Sequence, residues 1–314
     1  MKPEDGYITF IIHPKSGAGP GKRIGWQFKQ YLSRAGYEVR VSLTAGLNDA
    51  CEAATDAAVD FNCGLVVAAG GDGTVREVAH GLEGSDKPLL IVPCGTENLL
   101  ANELGIDRKV ETVIRAFRDF DIKPLDLGTA NGRCFTSITG IGFDGRVVHN
   151  VAAQRKGHID YSDYFWPLWR TYWGYDFAAV QVEVDGKQVF EGNGLVFIGN
   201  ISRYAIGLQI LHYADYSDGL LDLCIYKCVS KSRLVKHSFK TVLKRHFNSS
   251  DVIYKQGREF KVHSADKTMQ TEIDGDPGPD LPLNIKVIPE AVNVVMPSDA
   301  KPAGIRARLI RRLK

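Results

Sequence analysis

From Tyr7 to about Asp126, short apolar runs alternate with stretches whose apolar residues recur every three or four positions. "YITFII" at 7–12 reads as a buried strand. Ile24, Phe28, Tyr31 and Leu32 follow i, i+4, i+7, i+8, which predicts a helix over 22–34 that Gly36 stops. "YEVRVSL" is the next strand, and "NDACEAATDAAVD" an Ala-rich helix capped by Asn48. "LVVAA" at 65–69 is a strand followed by a helix from Thr74 to Leu82. "PLLIV" at 88–92 leads into helices near 97–104 and 108–119, the last amphipathic through Val110, Val113, Ile114 and Phe117. Strands that alternate with helices imply a mostly parallel sheet covered on both faces.

After Thr129 the period changes to two. "AVQVEVDGKQVFEG" alternates around Asp185-Gly186, a hairpin turn. "GLVFIG", "LLDLCIY", "DVIYKQ", "EFKVHS", "MQTEID" and "LNIKVI" are further strands, with helices near 145–175 and 231–246. The second half is therefore expected to be an antiparallel sandwich or barrel, and the change of pattern near 127–131 marks the boundary.

At 314 residues the chain is long enough for two domains, and its 44% hydrophobic and 24% charged content is globular. The net charge of +2 hides an uneven distribution. Lys301, Arg306, Arg308, Arg311, Arg312 and Lys314 form a basic tail without acids, leaving 33 basic against 37 acidic residues elsewhere. Such a tail suits anionic lipid or nucleic acid, or is simply a solvated helix face. It is thin support for nucleic-acid binding, which is not expected. Ile8–Ile12 is too short for a secretory core, and no run approaches the ~20 apolar residues of a spanning helix. The six cysteines lack CxxC spacing and sit mostly among apolar residues, so they read as reduced core residues of a cytoplasmic protein. The eight histidines lack H-x-x-x-H spacing; His212 and His237 read as surface or packing residues.

The chemistry gathers where strands end in glycine. In "LVVAAGGDGTVREV" a buried strand runs through Gly70, Gly71 and Gly73 into a helix, a geometry in which backbone N–H groups and the helix dipole hold phosphate. Thr74-x-x-Glu77 reads as a capping box, which leaves Asp72 without that task. An aspartate repels phosphate unless a Mg2+ ion bridges the two. Asp72 is therefore read as a metal residue, the alternative being a turn aspartate bonded to its own backbone. "HPKSGAGPGK", with Lys15, Ser16 and Gly17, and "PCGTENLLANELG", with Gly95, Thr96 and Asn98, also follow strands. Three such loops would lie along the carboxyl edge of one sheet, where ligands bind in open α/β folds.

Together, "PKSGAG", "GGDGTVREV", "PCGTENLLANELGI", "LDLG" at 125–128, "GIGFDGRVV" at 140–148, "DYSDGLLD" at 215–222 and "DGD" at 274–276 resemble the diacylglycerol kinase catalytic family. That family includes bacterial lipid kinases and the sphingosine and ceramide kinases. The resemblance covers about 6–296 and implies an α/β plus all-β chain. An N-terminal Rossmann-like domain, similar to NAD kinases and phosphofructokinases, would span 1–128, with 292–314 packing back on it. A β-sandwich would span 129–291. It further implies that Thr44, the loop Gly70–Arg76 including Thr74 and Val75, and Thr96 contact ATP. Asp72 and Asp126 would belong to a Mg2+–water network. Asp274 would take the proton of a lipid hydroxyl, with Asp276 where the family usually has glutamate. Asp215, Asp218 and the carbonyl of Leu220 would match a structural Mg2+ site, or else form a metal-free acidic turn.

The sequence departs from the family where "GTxND" becomes Glu97-Asn98-Leu99 and where His13 replaces asparagine. The expected activity is ATP- and Mg2+-dependent phosphorylation of a diacylglycerol- or sphingoid-like lipid. The rivals are a soluble-nucleotide kinase of the NAD kinase type and a weakened nucleotide- or lipid-binding regulator. A homodimer is compatible with the resemblance. "DYSDYFWPLWRTYWGYDF" holds three of the four tryptophans; Tyr161, Phe165, Leu168, Trp169 and Tyr172 share one helical face, and Pro167 starts or kinks the helix. This segment either packs on the sandwich or makes a peripheral contact with a bilayer.

Overall fold

The computed structural model describes residues 6–13, 20–46, 48–154, 163 and 165–300. Lys15, Ser16, Gly17, Tyr161 and the basic tail from Lys301 lie outside the described residues. The chain divides into two compact units: residues up to Leu127 together with a segment from Pro289, and Gly128–Ile288.

In the first unit β1 (Tyr7–Ile12), α1 (Pro20–Arg34), β2 (Glu38–Leu43), α2 (Asp49–Val59), β3 (Cys63–Gly70), α3 (Asp72–Gly81), β4 (Pro88–Pro93), α4 (Leu99–Glu103), α5 (Val110–Asp119) and β5 (Asp121–Ala130) follow in order. The strands lie β2-β1-β3-β4 and all pair in parallel. Asn293 and Val294 of the chain's last strand continue the sheet in parallel beside β4. β1 and β4 are buried at every residue, as their unbroken apolar runs require, whereas the edge strand β2 carries Glu38 and Arg40 as an exposed ion pair. Phe28 of α1 meets Phe10 of β1 and Phe117 of α5. α2 and α3 approach closely, because Gly81 lets the backbone oxygen of Cys51 come within 2.4 Å of where a Cβ would stand.

Two helix starts differ from the sequence expectation. Asn48 precedes α2 in a left-handed conformation without a side-chain capping bond; the carboxylate of Asp49 instead accepts the N–H groups of Ala45 and Gly46 at 2.7 and 2.9 Å. α3 begins at Asp72, with Gly71 as its N-cap and no side-chain cap, so Thr74–Glu77 is not a capping box. The helix therefore starts two residues earlier than expected, directly after the strand end.

The second unit contains β6 (Arg133–Phe135), β7 (Ile138–Ile141), α6 (Phe143–Gln154), α7 (Phe165–Gly174), β8 (Ala179–Val184), β9 (Lys187–Gly199), β10 (Arg203–Tyr204), β11 (Leu208–Gln209), β12 (Leu221–Lys227), α8 (Lys231–Val242), β13 (Val252–Gly257), β14 (Glu259–His263), β15 (Thr271–Ile273), β16 (Asp276–Pro277) and the start of β17 (Leu283–Met296). Its pairings are antiparallel. Asp185 and Gly186 both have positive φ, 49° and 75°, as a two-residue hairpin turn needs. β9 serves two layers: residues 187–193 pair with β8, and 194–199 pair with β7 and β12.

β12 and the second half of β9 are buried on both faces, whereas β8 and β14 alternate between buried and more exposed positions. Val196 and Ile198 of β9, with Leu221, Leu223 and Ile225 of β12, enter the sandwich core beside Phe260 and Ile285. Their alternates, Leu195, Phe197, Cys224 and Tyr226, pack beside Phe143, Val147 and Val151 of α6 and Leu234 of α8. His237 is buried and bonds the Lys227 carbonyl through Nε2 at 3.1 Å, and His212 stacks on Phe247 at 4.8 Å, so both are packing residues. The six cysteines are free thiols, all but Cys51 buried. Leu223→Ala removes a fully buried side chain from a central strand. It is expected to cost ~2–5 kcal/mol in urea unfolding, and a loss below ~1 kcal/mol would contradict the packing described.

Candidate active site

Parallel strands bring their carboxyl ends to one edge, and the loops of the first unit collect there. His13 follows β1, Thr44 follows β2, Gly71–Thr74 follow β3, and Cys94–Asn98 follow β4. The Nδ1 of His13 and the hydroxyl of Thr44 are 2.9 Å apart, so the residue that departs from the family's asparagine still ties two loops together. The β3 and β4 loops meet backbone to backbone. A Cβ on Gly95 would lie 2.6 Å from the Gly71 Cα, and one on Gly70 would lie 2.4 Å from the Thr74 side chain. Neither position has room for a side chain. The first-turn N–H groups of α3 emerge from this cradle, the arrangement that favours an anion.

Asp72 joins the two loops. Its Oδ1 accepts the N–H of Leu99 at 2.7 Å. The carboxylate is thus bonded to the neighbouring loop, where the alternative reading had its own backbone as partner. Leu99, where the family carries an acid, is buried and offers its main chain. Asn98 sits in left-handed backbone (φ 50°); its Oδ1 accepts the Gly95 N–H at 2.7 Å and its Nδ2 donates to the Gly95 carbonyl at 2.9 Å. Its amide therefore shapes the loop from inside. Asp126 is fully buried, and its Oδ1 accepts the Glu290 N–H at 2.7 Å. Thr96 and Arg76 are partly exposed at this edge, and Val75 is buried beneath it. Among the described residues no three His, Cys, Asp or Glu side chains gather to hold a metal, so the Asp72 carboxylate beside the glycine cradle suits a Mg2+ ion bound mainly through polyphosphate oxygens.

In the second unit Asp274 and Gly275 form the two-residue tip between β15 and β16, both with positive φ, 48° and 80°. The Asp274 carboxylate is buried and held by the 136–138 segment. Oδ1 accepts the N–H groups of Ser137 and Ile138 at 2.9 and 3.0 Å; Oδ2 accepts the Thr136 N–H at 2.9 Å and its hydroxyl at 3.2 Å. Donors alone surround it in this set, which suits an anion in a fixed orientation. Asp276 is half-buried and pairs with Ile273 across the hairpin. Sequence reading missed Thr136 and Ser137, which carry no motif; their role is to present backbone amides.

The acidic loop at 215–220 has Asx-type geometry. Asp215 Oδ1 accepts from the N–H and hydroxyl of Ser217 at 3.2 and 3.1 Å, and Asp218 Oδ1 accepts the Leu220 N–H at 3.1 Å. A recess of about 310 Å³ is lined by Arg146, Tyr175, Asp176, Asp266 and Gln270, a polar wall unsuited to an acyl chain. Pro167 lies in the first turn of α7, and only Pro167 and Thr171 of that helix are buried. Phe165, Trp166, Trp169 and Trp173 are 60, 69, 51 and 57% exposed, while Tyr172 packs against the core beside α6, so the helix is seated through Pro167, Thr171 and Tyr172 and leaves its tryptophans outside. On α8, Leu234, His237 and Thr241 face inward while Val235, Phe239 and Val242 are exposed, flanked by Lys236 and Lys240.

Loss of the Asp72 acceptor tests the joined loops. Asp72→Ala is expected to raise hydrogen exchange at the Leu99 amide by about tenfold or more, while Asp72→Asn, which retains an acceptor oxygen, does not. Equal protection in both variants would remove the linking role.

Comparison with known proteins assigns a family to each half of the chain. Residues 7–130 match the diacylglycerol kinase catalytic domain, and 137–296 match the YegS C-terminal NAD kinase beta sandwich-like domain. A diacylglycerol kinase of Bacillus subtilis (strain 168) is 31% identical over 298 residues, covering 92% of this chain and 96% of that protein. One from Staphylococcus epidermidis is 26% identical over 292 residues, covering 92% of each chain. The crystal structure of a diacylglycerol kinase from Bacillus anthracis str. Sterne superposes with a TM-score of 0.70 at 19% identity, covering 95% of this chain and 99% of that one. Yeast NADH kinase, in complex with NADH, superposes with a TM-score of 0.53 at 12% identity, covering 99% and 88%, which is a likeness of fold. An N-terminal α/β kinase domain followed by a β-sandwich, matched along nearly its whole length, places this chain in the diacylglycerol kinase family of phosphotransferases with an alcohol-group acceptor.

Proposed function

We propose that the protein transfers the γ-phosphoryl group of ATP, with Mg2+, to the hydroxyl of a diacylglycerol- or sphingoid-like lipid. The reading is carried by one observation: a chain matching a diacylglycerol kinase over 92% of its length presents a buried, oriented carboxylate, Asp274, on a hairpin tip. Phosphoryl transfer needs mostly positioning and neutralisation of charge. The backbone of Gly70–Arg76 and of Gly95–Thr96, with Lys15, Ser16, Gly17 and Thr44, would receive the nucleotide. Asp72 and Asp126 would hold Mg2+, which when bound offsets phosphate charge. Asp215, Asp218 and the Leu220 carbonyl would hold a second, structural ion. Asp274 would accept the hydroxyl proton, with Asp276 nearby in the same hairpin.

A lipid acceptor has to be drawn from a membrane. No helix among the described residues is long and apolar enough to cross one. Exposed tryptophans on α7 and an apolar ridge flanked by lysines on α8 suit the headgroup boundary of an anionic bilayer. Lys231 lies 5.6 Å from the Trp173 ring, which joins the two helices into one surface. Peripheral contact through this surface is part of the proposal.

Incubation with labelled ATP, Mg2+, a panel of lipids and NAD tests the reading. Label is expected in a lipid; label in NAD alone would support the nucleotide-kinase alternative, and no label would support a binding regulator. Asp274→Ala is expected to lower turnover by ~10²–10⁴ with ATP affinity retained, and unchanged turnover would refute its role. Trp169→Ala is expected to weaken binding to anionic vesicles; unchanged binding would remove the membrane contact at that helix.

A further inference from the structure

The motif "GIGFDG" has no task in the mechanism above, yet it delivers Asp144 to a second buried carboxyl. Glu272 lies on β15 and is 1% exposed. Asp144 lies in the first turn of α6, and its Oδ2, like Glu272 Oε1, is shut off from solvent without a conventional donor. Both oxygens converge on one point above Gly140: a Cβ there would stand 2.2 Å from Asp144 Oδ2 and 2.9 Å from Glu272 Oε1. The two carboxyl groups therefore face each other across the space over Gly140, and neither of these oxygens has another partner. Two carboxylates have only acceptors and repel, so a bond between them requires a proton on one. Burial, and then the neighbouring charge of Asp144, pushes the Glu272 carboxyl well above its ordinary range, with Asp274 adding to the effect. Asp144 is also pushed up by burial, but bonds donated by Tyr204 and by Glu272 favour its charged form. The proton therefore belongs on Glu272.

The other faces of the pair are tied down. Tyr204 donates its hydroxyl proton to Asp144 Oδ1, and Glu272 Oε2 accepts the Gly275 N–H at 2.8 Å. Gly275 is the second residue of the hairpin tip whose first residue is Asp274. The Glu272 backbone carbonyl is held in turn by the Thr139 hydroxyl at 2.6 Å. Asp274 is thus fixed from two directions: its carboxylate by the 136–138 segment, and its following peptide by Glu272.

We propose that Asp144 and Glu272 share one proton and that this buried pair is a positioning unit for Asp274, gripping the Gly275 amide at the hairpin tip. The proposal rests on the reading of Asp274 as proton acceptor, but the pair can be tested without any turnover.

Infrared spectroscopy of the full chain at neutral pH is expected to show a protonated carboxylic acid carbonyl band that shifts in D2O and is lost in Glu272→Gln. An absent band, or one that persists in Glu272→Gln, would overturn the shared proton. Hydrogen exchange at the Gly275 amide is expected to rise about tenfold in Glu272→Leu and to stay near wild type in Glu272→Gln, whose amide both accepts from Gly275 and donates to Asp144. In the kinase assay Glu272→Leu is expected to lower kcat by about tenfold or more with KM for ATP within about twofold, and Glu272→Gln to rescue it. Normal kcat and normal Gly275 protection in Glu272→Leu would overturn the positioning role. If Glu272→Leu fails to fold, Glu272→Ser, too short to reach Gly275, takes its place with the same expectations. Should wild type phosphorylate no lipid, the kinase reading fails, while the infrared and exchange results still decide the pair.

Discussion

The first unit is organised around a contact between two main chains with no side chain between them. Gly71 and Gly95 approach so closely because Gly95 carries no Cβ, and that approach brings the loop after β3 against the loop after β4. The Leu99 amide then falls within reach of Asp72, and α3 can begin immediately at the strand end. The edge is consequently built of peptide groups, which can meet phosphate oxygens closely and from several sides. A side chain at Gly95, whose Cβ would stand 2.6 Å from the Gly71 Cα, would force the two main chains apart and stretch the Asp72–Leu99 bond.

The second unit solves a different problem, the orientation of a single carboxylate. A two-residue hairpin tip is normally a mobile, solvated place. Here Asp274 turns back into the protein and takes up amides from 136–138, so the tip is fixed by its own side chain. Reversal at the tip requires left-handed backbone at both residues, which glycine at 275 accepts without strain and Asp274 accepts at some cost. Strain of this kind persists only where surrounding bonds over-determine it.

Much of this was legible in the sequence because it rests on period and on glycine. Unbroken apolar runs gave β1, β3 and β4, and Asp185-Gly186 gave its hairpin. What escaped were features defined by partners distant along the chain. Thr74 satisfies a capping pattern, but the helix already starts at Asp72, and the threonine instead fills the space above Gly70. The bond from Asp72 to the Leu99 amide spans 27 positions, beyond the reach of any local pattern. Asp144 and Glu272 are 128 positions apart, and no spacing rule connects them. An aromatic stripe looks the same in sequence whether it faces a core or water, and α7 divides: Pro167, Thr171 and Tyr172 face the core and the tryptophans face outward.

One consequence of the α7 surface concerns how the protein reports on itself. All four tryptophans, Trp26, Trp166, Trp169 and Trp173, are substantially exposed in the folded chain. Their emission should already lie towards the red before denaturation, so the fluorescence maximum is a poor gauge of unfolding. The same indoles would move to shorter wavelength on entering an apolar medium. Intrinsic fluorescence of this molecule is therefore a reading of what its outer surface touches, with its core spectroscopically silent in that window.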